Sequence, residues 1–86
     1  MAAVTPSNVV RVNLGSANLV VASFTTVTDG DTWASGIPSI VGKWMDDNSN
    51  PATQASVGVA STFSAGTFTF YPAEDGTPCT LFVVIE

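Results

Sequence analysis

The run from Gly66 to Glu86 constrains the fold more than any other part of the chain. Its first half, Gly66-Thr67-Phe68-Thr69-Phe70-Tyr71, alternates: Phe68 and Phe70 point one way, Thr67, Thr69 and Tyr71 the other. A period of two is that of a strand with one buried face. The chain breaks at Pro72-Ala73-Glu74-Asp75-Gly76-Thr77-Pro78. The second half then puts Cys79, Leu81, Val83 and Ile85 on one face and Thr80, Phe82, Val84 and Glu86 on the other. Both faces are largely apolar, so this strand is expected to lie centrally in a sheet or to be covered on both sides. Together the halves read as one long hairpin.

The preceding chain has the same character. Asn8 to Leu14 is a short strand with Val10, Val12 and Leu14 on one face and Arg11 and Asn13 on the other. Gly15-Ser16-Ala17-Asn18 turns it into a second strand, Leu19 to Thr28. There Val20, Ala22 and Phe24 share a face, opposite Leu19, Val21 and Val27. Asp29-Gly30-Asp31 is a turn. Thr32 to Gly36 reads as a short strand or one helical turn capped by Asp31. Ser39 to Met45 reads as a strand, with Ile40 and Trp44 on one face and Val41 and Met45 on the other. Asp46 to Pro51 is a polar loop, and Thr53 to Thr62 a further strand that turns at Ser64-Ala65-Gly66. No helix of ordinary length is visible. The expectation is an all-β fold, a small antiparallel β-sandwich or open barrel of about six to seven short strands. Residues 1–7 are expected to be a flexible N-terminal arm, and residues 8–86 a single β domain.

A chain of 86 residues buries a modest share of its surface, and such domains often depend on disulfides, metals or subunit contacts. Cys79 is the one cysteine, so no disulfide forms within the chain. It reads as a small buried thiol, with an intermolecular bridge as the alternative. Charged residues make up 10% of the chain against 45% hydrophobic ones, so little charge guards the strand edges. That favours a homo-oligomer. Arg11 and Lys43 face seven acids, for a net charge of −5, and no basic stripe exists to neutralise nucleic-acid phosphates. No apolar run approaches a membrane span. The N-terminus, Met1-Ala2-Ala3-Val4-Thr5-Pro6, lacks the basic start and apolar core of a signal peptide, so synthesis in a cytosol is expected.

The chain has no histidine, which removes the usual general base and the commonest metal ligand. Asp31 is followed by Thr32-Trp33, without the Gly turn of an aspartic protease. The expectation is a chain that is not an enzyme. A catalytic alternative would need two close carboxylates in a cleft, for instance Asp46 or Asp47 facing Glu74. Asp46, Asn48 and Asn50 have the spacing of a calcium loop, but Pro51 stands where the loop needs Gly, and Val57 where it needs Glu. Turn formation is the favoured account of them, and no cofactor is expected. Trp33 and Trp44 are either core residues or a stacking platform. Trp44 is read as core, whereas Trp33 stays open between core and exposed anchor. Tyr71 is read as a strand-edge residue with its hydroxyl at the surface. Trp33, Tyr71 and Phe82 are the candidates for an interface or ligand contact.

Thr28-Asp29-Gly30-Asp31-Thr32-Trp33, Gly36-Ile37, Ile40-Val41-Gly42-Lys43-Trp44, Gly66-Thr67-Phe68-Thr69-Phe70 and Leu81-Phe82-Val83-Val84-Ile85 form a pattern that resembles small all-β virion proteins of tailed phages. The resemblance runs from Thr25 to Ile85. It implies a virion-associated part (a capsid decoration, a head-completion piece or a tail accessory protein) that meets other virion proteins, and it carries no catalytic residue. The reading from a different class is a small β module that binds carbohydrate or Ca²⁺ through Trp33 and the acidic turns.

Overall fold

The computed structural model describes residues 2–48 and 58–86. Seven strands run through them: β1 Asn8–Asn13, β2 Asn18–Val27, β3 Thr32–Ala34, β4 Gly42–Asp47, β5 Val59–Ser64, β6 Thr67–Pro72 and β7 Thr77–Ile85. They form two antiparallel sheets, a four-stranded one in the order β1-β2-β7-β4 and a three-stranded one in the order β3-β6-β5. The expected all-β class is the observed one, as a small sandwich.

β7 sits between β2 and β4, the central placement its two apolar faces require. Cys79, Leu81, Val83 and Ile85 point inward and are buried. Against them pack Phe68 and Phe70 of β6 and Val20, Ala22, Phe24 and Val27 of β2. Aromatic rings fill the gap between the sheets. Phe24 lies 4.9 Å from Phe70 and Phe63 lies 4.7 Å from Phe68, centroid to centroid. Ile37 closes one side from the loop after β3.

Several expectations are corrected. The run from Gly66 to Glu86 is not a hairpin: β6 pairs with β3 and β5, whereas β7 pairs with β2 and β4. The Pro72–Thr77 connection carries the chain from one sheet to the other, because a strand apolar on both faces needs neighbours on both edges. Val27 is buried with Val20, Ala22 and Phe24 rather than on the opposite face. The register between β2 and β7 shifts between Phe24 and Val27, and the extra residue reverses the alternation. Of the two readings left open for Thr32 to Gly36, the short strand is the one observed, at Thr32–Ala34. Strand β4 starts only at Gly42, so Ile40 packs on the core while Trp44 faces the other way. The supposed loop at Asp46 and Asp47 is the end of β4, paired with Thr80 and Cys79. The proposed strand from Thr53 lies in part outside the described residues.

The segment expected as an arm runs beside β3. Val4 donates its amide to Thr32 O at 2.7 Å and Thr32 donates to Ala2 O at 2.8 Å. Ser7 donates to Ser23 O at 2.8 Å, so residues 2–7 lead from the edge of the smaller sheet to that of the larger one. On the opposite flank Lys43 Nζ reaches Ser61 O at 2.7 Å, and Asp47 accepts the amide of Gly58. Inward-pointing charges of this kind block further strand pairing at that edge. Strand β1 has no such cover: a three-stranded sheet is one strand too narrow for a four-stranded one, and every residue of β1 is exposed.

Candidate functional site

The register of the larger sheet lays out its outward face row by row. Val10, Val21, Phe82 and Trp44 stand side by side across β1, β2, β7 and β4. The next row is Val12, Leu19, Val84 and Gly42. Beyond the other side of the first lies a polar row, Asn8, Ser23, Thr80 and Asp46. Two adjacent rows thus carry no charge, and the indole N–H of Trp44 is their one hydrogen-bonding side-chain group. Trp44 lies flat on Phe82, with centroids 5.0 Å apart and ring planes 3° from parallel. Trp44 keeps 51% of its surface in solvent, Val10 45% and Val12 41%.

The outward face of the smaller sheet is built differently. Its rows are Thr32, Thr69 and Thr62, then Ala34, Thr67 and Ser64, with Ala60 beside Tyr71. Hydroxyls solvate this face. The two broad surfaces of one sandwich are therefore apolar and hydroxylic respectively.

The expected site residues fall in three places. Phe82 is on the apolar face, half-buried under Trp44. Trp44 was expected in the core and is on the surface, because β4 is an edge strand and its outward position opposes Phe82. Trp33 is packed inward, stacked on Phe68 at 5.7 Å and edge-on to Phe24 at 5.5 Å. Tyr71 is exposed on the hydroxylic face, remote in the register from Phe82. Sequence reasoning missed Val10, Val12, Leu19, Val21 and Val84 as members of one patch. Their parity was visible, but which strands adjoin was not.

The acidic turns are held by backbone contacts. Asp31 is buried and accepts the amides of Thr28 at 2.8 Å and Ala2 at 3.1 Å. Asp75 accepts the amide of Asp29 at 3.2 Å. Of the calcium-loop candidates, Asp46 is on the polar row of β4, Asn48 donates its side-chain amide to Thr80 Oγ1 at 2.8 Å, and Asn50 lies outside the described residues. Asp46 and Asp47 are consecutive in a strand and so face opposite sides of it. Among the described residues no three acids or cysteines converge as metal ligands, and no cavity opens. No helix among them is long and apolar enough to cross a membrane. Cys79 is free and fully buried; burial pushes its thiol up to about 11, and the charge of Asp47 adds to the effect. No family model matches the chain, and no curated protein or solved structure is significantly similar to it.

Proposed function

We propose that this chain is a non-enzymatic structural protein that works by burying β-surface against copies of itself and against a larger lattice, as a component of a phage-type virion. A decoration, head-completion or tail accessory role is the kind meant. One observation carries the reading: an outward sheet face with two adjacent rows of apolar residues and Trp44 half in water. Burial of such a surface is favourable by about 25 cal/mol per Å² of apolar area. The small number of charges lowers the desolvation cost of contact on every side. The virion assignment itself rests on the pattern from Thr25 to Ile85.

Light scattering of the purified chain over a range of concentrations tests the reading. The expected result is a mass above that of one chain that falls on dilution. A constant single-chain mass, together with a tryptophan fluorescence response to glycans or Ca²⁺, would support the ligand-binding module instead.

A further inference from the structure

We propose that the apolar face of the larger sheet is the interface of a homodimer, two copies packing face to face about a two-fold axis that runs along the strands. This deepens the self-assembly reading above and rests on it.

The size of the face points to its occupant. Four strands about 4.8 Å apart, each paired over about six residues of 3.4 Å rise, give a footprint of roughly 20 by 20 Å, about 400 Å². A helix, about 10 Å across, would leave half of that width open. A second copy of the same sheet matches it in both dimensions. Two footprints cover about 800 Å² as flat rectangles, below the roughly 1,200 Å² of standard interfaces and in the range of weak, concentration-dependent contacts.

The rows also fix the orientation. An axis along the strands lays β4 of one copy over β1 of the other and reverses each row against itself. Trp44 then lies over Val10 and Phe82 over Val21, large against small. Leu19 meets Val84, and Gly42, which has nothing within 4 Å of the position of a Cβ, leaves room for Val12. In the polar row Asp46 meets Asn8, and Ser23 meets Thr80. An axis across the strands stacks Trp44 on Trp44 if it passes through that row, and if it passes between the two apolar rows it carries the polar row with Asp46 away from its own counterpart. Facing layers interdigitate when bulky positions oppose small ones, so the graded face is its own complement in the first orientation.

Sedimentation equilibrium of wild type, Trp44→Asp and Val12→Asp is the test. The two substitutions lie at opposite edges of the face, both in side chains exposed within one copy. A two-chain mass for wild type and a single-chain mass for both variants, with unchanged circular dichroism, is the expected result. A two-chain mass kept by both variants would overturn this interface while leaving self-assembly standing. A single-chain wild type at every concentration would overturn both. If the variants do not fold, iodide quenching of wild-type tryptophan emission gives the same answer: quenching that rises on dilution supports the interface, and quenching that stays constant contradicts it. Orientation is read by mixing Asn8→Cys with Asp46→Cys chains and adding a short bismaleimide, because facing sheets lie about 10 Å apart, beyond the reach of a disulfide. A cross-link in the mixture and in neither variant alone is expected, whereas linking of each variant to itself would overturn the two-fold axis assigned.

Discussion

At the scale of single residues, the backbone at the β5–β6 turn and the buried thiol near the start of β7 make separate demands. Ala65 and Gly66 both have positive φ, 51° and 84°. A two-residue hairpin turn of this type matches the twist of its strands, and Asn-Gly is its preferred sequence. Alanine there holds a left-handed conformation that costs an L-residue about 1–2 kcal/mol, a cost asparagine largely escapes. Ala65→Asn is expected to stabilise the fold by up to about 1 kcal/mol, read as a melting midpoint raised by about 4–8 °C. Gly66 is less replaceable, since a Cβ there would stand 3.4 Å from Ile37 O in addition to the strain of its φ. Cys79 links stability to pH. Its thiol ionises near 9.0 when unperturbed and at about 11 in the folded chain. Below pH 9 both states hold the proton. Between these values the unfolded chain gives it up first, so the contribution of Cys79 to stability declines as pH rises. Denaturant melts of wild type and Cys79→Ala are expected to show a stability difference that shifts against wild type from pH 9 to 11; a difference independent of pH would contradict it.

At the scale of elements, alternation in the sequence located nearly every strand but not its neighbours. The inward set of β7 and the Phe68–Phe70 pair were legible because an unbroken period of two admits one reading. The hairpin expected between β6 and β7 was not formed, and nothing local to Pro72–Thr77 distinguishes a turn within a sheet from a crossing between sheets. Val27 was misassigned because a bulge reverses parity and the threonines around it have equal affinity for either face. Trp44 was misread because size suggests core, whereas an edge strand gives a tryptophan an outward position as readily as an inward one. The candidate surface emerges only when four strands are placed in register, since each contributes one or two of its residues. Adjacent positions of β7 should then differ in kind. Leu81→Ala removes a fully buried side chain and is expected to cost about 2–5 kcal/mol. Phe82→Ala removes the Trp44 stack, worth about 0.5–1.5 kcal/mol beyond its area, so it should cost a single chain markedly less. Chemical denaturation of the two variants at low concentration checks the order.

At the scale of the molecule, the two sheets differ in width and in surface. The narrower one ends in hydroxyls; the wider one overhangs at β1 and is apolar outside as well as inside. A small sandwich gains little from leaving such a face in water, and a chain with so few charges has little to oppose contact between copies. The core therefore accounts for the fold, and the outer face is the surface proposed for assembly. Phe82→Ala tests that division most directly, with mass and melting midpoint measured on the same sample at a concentration where wild type is associated. A folded protein whose mass drops to that of one chain is expected. A mass equal to that of wild type, with a loss of stability as large as that of Leu81→Ala, would place Phe82 in the fold rather than the interface.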